Sequence, residues 1–355
     1  MTLHLRPIQF VDTPIGLPDG SVARLAGGMQ WFAAYEVRDD GGRRQVPVAD
    51  IAALGERAAT LHARITAPRP PWTLGERVLR FDQPQVAAIL NVTPDSFSDG
   101  GAYSDDPAGA AAAGMALAGA GAALIDVGGE STRPGAALVW EEDEAKRVVP
   151  VIERLVRGGA LVSVDTRKAL VMQAALAAGA AIVNDVSALF WDERALDVVA
   201  RSRAPVILMH SPDPKHGGHG QGDPGRSTYR DVVTEVFDWL ELRIEAVVAA
   251  GIDRARIMVD PGIGFGKSLA DNLALINALA MFHGLGCPIM LGASRKRLIG
   301  ALSNEAPVGE RLGGSIALAL RGAEAGVQLL RVHDVADTVQ ALRVWRGWRD
   351  RALVG

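Results

Sequence analysis

Polar residues that can bind ions or form strong hydrogen bonds recur at or near the ends of short apolar runs between residues 87 and 335. In chain order they are Asn91, Asp126, Asp165, Asn184, Asp185, His210, Asp260, Ser294, Lys296, Arg331 and His333. A buried polar group without a partner costs about 1–3 kcal/mol, so such a set is hard to retain unless it serves a purpose. The set contains both carboxylates and cationic side chains. That suits a ligand with an anionic part, bound by Arg and Lys, and a donor-rich edge, bound by carboxylates.

Helix capping is the competing interpretation of these residues. For Asp126, or for Asn184 and Asp185, it is about as good as the functional one, since short polar side chains often cap the next helix. It fails for the whole set, because Lys296 and Arg331 are charged donors that cannot accept hydrogen bonds from helix N–H groups. The set therefore predicts a ligand site.

Two long connections follow the first two apolar runs, at residues 91–101 and 126–135. Both are rich in Gly, Pro and Ser, and both exceed the about 2–6 residues of a routine strand-to-helix turn. Long loops on a rigid scaffold are usually functional, and glycines suit segments that open and close. Two plain surface loops are the alternative that composition alone leaves open.

A glycine-rich turn at residues 260–268 invites comparison with the phosphate-binding P-loop. The spacing excludes that motif, because its first glycine would fall at Pro261. The segment instead predicts a strand-end Asp260 followed by a flexible turn. Lys267 is then interpreted as a surface residue at the start of a helix.

Eight apolar runs, each followed by turn residues and an Ala/Leu-rich segment, organise the chain from residue 81 onward. The runs are 87–92, 123–127, 161–164, 181–186, 205–209, 256–259, 288–291 and 328–332, and long helical segments follow at 141–157, 167–178 and 229–250. Continuous apolar runs are typical of parallel strands covered on both faces, and segments of this length suit crossover helices. An open doubly wound sheet is the alternative. The count of eight, without a glycine-rich dinucleotide turn, favours an α/β fold of the (β/α)8 TIM barrel type, with the polar residues at its C-terminal rim.

The first 80 residues break this rhythm and are predicted to form an N-terminal α+β extension of unknown role. Strands are expected at 5–11 and 30–37, a helix at 48–63 and a stiff, proline-rich linker at 66–72. Residues 81–355 are then the barrel. The extension carries no chemical motif.

Charge and cysteine content exclude several classes of protein. With 37 basic and 41 acidic residues the net charge is −4, which gives no electrostatic case for nucleic acid or an anionic membrane. No apolar stretch approaches the about 20 residues of a membrane span, and no signal-peptide pattern is present. Cys287 is the one cysteine and is expected to be a buried structural thiol. We expect a cytoplasmic protein that acts on small molecules.

Together these segments resemble the dihydropteroate synthase family, from about residue 87 to residue 346. The resemblance rests on 91–101, 130–135, 164–166, 184–186, 208–210, 260–266, 292–296, 313–315 and 331–335. The shared order of these pieces along the eight runs gives the resemblance its weight. The family joins (7,8-dihydropterin-6-yl)methyl diphosphate to 4-aminobenzoate with Mg²⁺ and releases diphosphate, so the resemblance implies that activity and that ion.

The resemblance also implies roles for individual residues. The pterin-binding set would be Asp165, Asn184, Met209, Asp260, Phe265, Gly292, Lys296 and Arg331. The diphosphate-binding set would be Asn91, Thr132, Arg133, Arg331 and His333, with Asn91 also a ligand of Mg²⁺. The 4-aminobenzoate pocket would be framed by Phe97, Pro134 and Ser294, and Asp99 would stabilise charge when the loops close.

Two departures from the family pattern concern loop detail. Ser211 stands where a further Met often follows the His of the fifth run, and Asp271 stands where a His is common before Asn272. The family commonly forms homodimers through its last helices, and the Ala/Gly-rich segment 313–326 fits such close packing, so a homodimer is expected.

Two other functions compete with this one. A pterin-binding methyltransferase-type barrel would share Asp165, Asn184 and Asp260 but has no need of a diphosphate site, which Arg133 and Lys296 indicate. A non-catalytic relative would be expected to have lost such loop residues, and they are present.

Overall fold

The structure is a computed structural model that describes residues 3–93, 106–131, 138–212 and 229–354. Its N-terminal part is an antiparallel sheet in which β3 (Trp31–Asp39) pairs with β1 (His4–Val11), β2 (Ala23–Arg24) and β4 (Gly42–Pro47). A 3-10 helix (Val48–Leu54) and α1 (Glu56–Thr66) follow, and then a hairpin of β5 (Trp72–Leu74) and β6 (Arg77–Leu79). The α+β character of the extension and its two predicted strands are confirmed.

The helix predicted at 48–63 is wrong in one respect, because two helices occupy this segment. Gly55 separates them with φ 92° and ψ −175°, a conformation that no helix contains. A positive φ of this kind suits glycine, which has no Cβ to clash with the backbone. The break allows α1 to bury Ala58, Leu61 and Ile65 along one side.

The rest of the chain alternates parallel strands with outer helices. The strands are β7 (Gln85–Asn91), β8 (Leu124–Gly128), β9 (Val162–Asp165), β10 (Ile182–Asp185), β11 (Val206–Met209), β12 (Ile257–Asp260), β13 (Met290–Leu291) and β14 (Leu329–Val332). The helices are α2 (Pro107–Gly119), α3 (Glu141–Arg157), α4 (Ala169–Ala177), α5 (Ala195–Ser202), α6 (Val232–Ala249), α7 (Leu269–Asn277), α8 (Arg297–Leu302), α9 (Leu312–Glu324) and α10 (Val335–Val354).

Strand pairing closes this sheet into a barrel. The order is β12-β11-β10-β9-β8-β7-β14-β13, and a parallel bridge between Val259 and Ile289 joins the two ends. The Val259 amide also donates to the Pro288 carbonyl at 2.9 Å. The predicted (β/α)8 barrel is confirmed, and each predicted strand agrees with the observed one to within two residues.

Helix α3 shows clearly how an outer helix of this barrel is built. Helix α3, for example, has four acidic residues in its first turn and Arg154 and Arg157 in its last. Its apolar side, which includes Val148 and Leu155, is buried against the sheet and neighbouring helices. Within the described part of the chain, no helix combines the length and the apolar character needed to cross a bilayer.

The β5–β6 hairpin closes the floor of the barrel. Trp72, Leu79 and Phe81 join one apolar cluster with side chains from the barrel strands, among them Leu124 and Met258. The Trp72 indole donates to the Ala255 carbonyl, just before β12, at 2.7 Å. Since Ala255 precedes its strand, the hairpin covers the end of the barrel opposite the strand-end polar residues.

The N-terminal sheet and α1 lie along helix α6. Polar contacts join them at three levels of that helix. Arg38 forms an ion pair with Asp231 at 3.2 Å, the His4 ring is hydrogen-bonded to Asp238 at 2.6 Å, and Arg57 and Arg64 form ion pairs with Glu241 at 2.7 and 2.8 Å. The buried apolar residues of this sheet and of α1 belong to the same core cluster as those around the barrel. The division of the chain at residue 80 stays a prediction.

Arg69, in the linker predicted at 66–72, ties the extension to the barrel. Its buried guanidinium donates to the carbonyls of Cys287 at 3.2 Å, His283 at 2.9 Å, Arg64 at 2.8 Å and Ala67 at 2.8 Å. Cys287 is fully buried, as expected.

Replacing Arg69 with Met should destabilise the protein, because carbonyl oxygens buried behind it would lose their donor. We expect a loss of about 2–3 kcal/mol in the free energy of unfolding. Urea unfolding followed by circular dichroism measures it. The matched control is Arg201→Met on the surface of α5, which should change stability by less than about 0.5 kcal/mol. Equal values for the two variants would refute the structural role of Arg69.

Candidate active site

Strand register brings the first site residues together at the C-terminal end of the barrel. Asn91 pairs with Gly128, Gly128 with Asp165, and Asp165 with Asn184 across the neighbouring strands β7 to β10. Because these residues share one level of the sheet, Asn91, Asp165 and Asn184 lie at one rim.

The second half of the rim comes from β11 to β14. Met209 pairs with Asp260 at the ends of β11 and β12, and Arg331 lies on β14 beside β7. Asp260 is buried, and its Oδ1 accepts from the Gly262 amide at 2.7 Å. Gly292, after β13, lies between the two charged residues: a Cβ there would stand 3.6 Å from Asp260 Oδ2 and 4.0 Å from Arg331 Cβ.

Arg331 joins two carboxylates across the barrel mouth. Its Nε donates to Asp126 Oδ2 at 2.5 Å, and its Nη2 donates to Asp165 Oδ2 at 2.6 Å. Asp126 also accepts from Ser163 Oγ at 2.5 Å and from Asn184 Nδ2 at 3.0 Å. Burial alone would lower the pKa of Arg331, but Asp126 and Asp165 outweigh it and raise that pKa above its usual value. The guanidinium therefore stays charged.

Two buried acceptors in this network have no partner among the described residues, namely Asp165 Oδ1 and Asn184 Oδ1. Burial, opposed by Arg331, raises the pKa of Asp165 to about 7. Buried acceptors that lack a donor are costly unless a ligand supplies one. This end of the barrel is therefore arranged to receive a molecule with several N–H donors on one edge.

Lys296 and Phe265 form another wall of the site. The Lys296 ammonium donates to the Ile263 carbonyl and lies 4.4 Å from the centre of the Phe265 ring. Burial lowers the pKa of Lys296 to about 8, against the opposing effect of Asp260. Burial likewise raises the pKa of Asp260, with Lys296 acting against it. An aromatic ring, a cation and a carboxylate thus meet at one end of the barrel.

Ser294 and His333 are joined to each other on the β13–β14 side. Ser294 Oγ accepts from the His333 amide at 3.2 Å and lies 3.0 Å from His333 Nδ1. Next to them, Arg295 binds Asp334, with Nε 3.0 Å from Oδ2. This ion pair fixes the two segments that carry Lys296 and His333.

The remaining predicted site residues are Phe97, Asp99, Thr132, Arg133 and Pro134, and they lie outside the described residues. The residues that flank the segment 132–137 are described. Glu130 accepts from the Val139 amide at 2.9 Å, and Lys168 donates to the Val139 carbonyl at 2.6 Å. Both ends of the segment are therefore attached to one buried cluster of charges.

Two residues, Lys267 and Asp126, differ from their sequence-based interpretation, and the structure gives the contacts of a third, Asp185. Lys267 was interpreted as a surface residue, and this is wrong: it is 7% exposed, with its ammonium among backbone carbonyls. Asp126 is more than a strand-end polar residue, since it is the shared acceptor of Arg331 and Asn184. For Asp185 the sequence left helix capping and a functional role open; its carboxylate accepts from the amides of Ser187 and Leu189 in the turn after β10. Each depends on contacts between distant strands or within a turn, which apolar periodicity does not report.

Comparison with known proteins agrees with this geometry. Residues 87–333 match the family model described as pterin binding enzyme, which defines the class of the barrel. The chain is 43% identical over 286 residues to a dihydropteroate synthase of Neisseria meningitidis serogroup B, covering 78% of this chain and 97% of that one.

Solved structures extend the comparison. One is Xanthomonas albilineans dihydropteroate synthase with 4-aminobenzoic acid, similar with a TM-score of 0.72 and 50% identity over 79% of this chain and 98% of that one. The same enzyme in complex with 7,8-dihydropteroate gives a TM-score of 0.68 and 47% identity over 78% and 98% of the two chains. The chain belongs to the dihydropteroate synthase family. It is a transferase of folate biosynthesis.

Proposed function

We propose that the open end of the barrel binds (7,8-dihydropterin-6-yl)methyl diphosphate and 4-aminobenzoate and joins them to give 7,8-dihydropteroate and diphosphate. The observation that carries this proposal is the pair of buried acceptors, Asp165 Oδ1 and Asn184 Oδ1, beside the cations Arg331 and Lys296. Acceptors suit the donor-rich pyrimidinone edge of a pterin, and cations suit its diphosphate tail.

The pterin ring would lie between these acceptors and Asp260. A carboxylate can accept two parallel N–H bonds from the amino-pyrimidinone edge, and Asp260 is the buried carboxylate whose second oxygen faces Gly292. Met209 and Phe265 would contact the faces of the ring, since an apolar thioether and an aromatic ring both suit a flat heterocycle. Lys296 would flank it.

The diphosphate would be bound by Asn91, Thr132, Arg133, Arg331 and His333. Arg331 carries five N–H donors, and its two described hydrogen bonds to carboxylates leave further donors for phosphate oxygens. Its bonds to Asp126 and Asp165 also hold the guanidinium plane in place, so binding requires little reorganisation.

Mg²⁺ would be held by Asn91 together with the diphosphate. Among the described residues no cluster of three or more Asp, Glu, His or Cys forms a metal cage. That arrangement fits Mg²⁺, which keeps several waters and often binds through few protein ligands plus substrate phosphates. When bound, the ion would neutralise charge on the diphosphate.

The chemistry proceeds without a covalent enzyme intermediate. The bond between the pterin methylene carbon and the diphosphate oxygen breaks, and a bond from that carbon to the amine nitrogen forms, with loss of the amine proton. The electron-rich pterin can stabilise positive charge on the methylene, while Arg331 and Lys296 stabilise the departing anion. Exclusion of water then protects the cation until the weakly basic amine attacks.

The 4-aminobenzoate would be bound by Phe97, Pro134 and Ser294, with Asp99 close to the developing positive charge. Ser294 supplies the described part of this pocket, and its Oγ is already oriented by His333. The similarity to the Xanthomonas albilineans enzyme bound to 4-aminobenzoic acid supports this choice of second substrate.

Replacing Phe97 with Ala should raise the KM for 4-aminobenzoate about tenfold and leave pterin affinity nearly unchanged. The expected loss corresponds to removal of one aromatic contact, about 1–1.5 kcal/mol. Steady-state kinetics with each substrate varied in turn measures the split. Equal losses for both substrates would contradict the assignment of this loop residue to the second pocket.

Assembly and compartment are proposed as a homodimer in the cytoplasm. Exposed apolar side chains on the last two helices support the dimer, namely Leu312 on α9 and Val344 and Trp348 on α10. A single buried cysteine is consistent with a reducing compartment.

A diphosphate-release assay separates this function from its alternatives. Release that requires both the pterin diphosphate and 4-aminobenzoate is the expected result. Release with the pterin substrate alone would indicate simple hydrolysis. No release, with the pterin still bound, would favour a non-catalytic pterin-binding protein.

A further inference from the structure

Lys267 is a buried cation that the proposed chemistry does not use. Its Nζ donates to the carbonyls of Gly262 at 2.8 Å, Phe265 at 3.2 Å and His210 at 3.4 Å. These partners are backbone carbonyls of the turn after β12 and of the residue after β11. The ammonium therefore joins two strand ends through one group.

The turn around Lys267 is built from glycines in the left-handed region. Gly262, Gly264 and Gly266 have φ of 71°, 81° and 56°. A Cβ at Gly262 would stand 2.0 Å from the His210 carbonyl oxygen, so the turn packs directly on the end of β11. Such a backbone directs several carbonyl oxygens inward, where they need a donor.

The outer side of the same turn forms part of the pterin site. Ile263 supplies the carbonyl that accepts from the Lys296 ammonium, and the Phe265 ring lies against that same ammonium. Any shift of the turn would therefore move Phe265 and Lys296 together. Burial lowers the pKa of Lys267 to about 7, against the opposing effect of Asp260, which shows how strongly this position is desolvated.

We infer that Lys267 is a positioning residue of the enzyme: it holds the Gly262–Phe265 turn against the end of β11 and so sets Phe265 and Lys296 for the pterin. The inference rests on the proposed pterin site. It assigns Lys267 no contact with substrate; its effect on binding passes through Phe265 and through Lys296, whose ammonium lies against the Phe265 ring.

The test is a double-mutant cycle on pterin affinity with Lys267→Met and Phe265→Ala. Pterin binding is titrated directly, without 4-aminobenzoate, and the KM for 4-aminobenzoate is measured separately. We expect Lys267→Met to raise the pterin Kd about tenfold in the wild-type background and less than about threefold in the Phe265→Ala background, because coupled residues are not additive. The KM for 4-aminobenzoate should stay within about twofold, a split that general loss of structure would not give.

Lys267→Gln is the second variant, and it decides the matter if the Met variant does not fold. It removes the charge but keeps two N–H donors, so a smaller rise in pterin Kd with the same dependence on Phe265 is expected. Lys146→Met, on the exposed side of α3, is the control and should leave every constant unchanged.

An unchanged pterin Kd in the Lys267 variants, or the same rise in both backgrounds, would overturn the inference. An assay of the wild-type protein distinguishes failure of this inference from failure of the proposed function. If the wild-type protein fails to release diphosphate with both substrates, the proposed function fails; if it succeeds while the Lys267 variants bind pterin normally, only the positioning role fails.

Discussion

Replacing Asp260 with Ala should weaken pterin binding by about 10²- to 10⁴-fold. The proposed contact consists of two charge-assisted hydrogen bonds, each worth about 1.5–3 kcal/mol, and about 1.4 kcal/mol corresponds to one factor of ten. The carboxylate is buried, and of the carboxylates that act on Lys296 it acts most strongly, so its removal also takes that stabilisation from the cation. Direct titration with the pterin substrate measures the effect.

A second variant separates recognition from local folding. Asp260 Oδ1 accepts from the Gly262 amide, and Asn at this position keeps an acceptor for that bond. Asp260→Asn should therefore keep the turn but still lose much of the pterin affinity. Asp197→Ala, an exposed carboxylate on α5, is the matched control. Unaltered pterin affinity in the Asp260 variants would show that the ring binds elsewhere.

Replacing Lys168 with Met should lower the free energy of unfolding by about 3–5 kcal/mol, the usual cost of breaking a buried ion pair by removing one partner. Lys168 is 1% exposed and binds Glu144, which is fully buried, and also lies 3.2 Å from Glu130 Oε1. In the variant both carboxylates lose a cation. Urea unfolding at pH 7.5 measures the difference, and loss of less than about 1 kcal/mol would contradict it.

The effect of Lys168→Met should depend on pH. Burial already raises the pKa of Glu144, and Lys168 acts against that rise. Without Lys168 the folded-state pKa rises further above the unfolded value, so the folded state binds more protons and its stability falls as pH rises. The gap between variant and wild type should therefore widen as the pH rises above the pKa of an unfolded Glu, about 4.3. The control is Lys146→Met, which removes an exposed ion pair with Asp143 on the same helix as Glu144. It should show no such trend.

The strands were predictable because a strand that is buried on both faces consists almost entirely of apolar residues. The predicted runs 161–164 and 205–209 are mainly apolar, and a polar residue follows each of them. The observed strands β9 and β11 differ from these runs by no more than one residue at either end. Parallel strands then place their C-terminal ends together, so the shared rim of Asp165, Asn184 and Asp260 followed from the fold.

Contacts that depend on register or on turn conformation were not predictable in this way. Asp126 faces inward two residues before the end of β8. Its partners Ser163, Asn184 and Arg331 come from three other strands. Lys267 follows a glycine-rich segment. Such a segment can form an exposed turn or a turn whose carbonyls surround a buried ammonium, and the sequence does not distinguish the two. In the extension, apolar periodicity continued across Gly55, where one positive φ ends the helix.

The central claim is that acceptors for the pterin edge and cations for its diphosphate meet at one end of the barrel. An experimental structure with the pterin diphosphate bound tests it most directly. We expect the ring edge within hydrogen-bond distance of Asp260, Asn184 and Asp165, with the phosphates toward Arg331 and His333. A pterin bound elsewhere, or turned so that its edge meets no carboxylate, would contradict it.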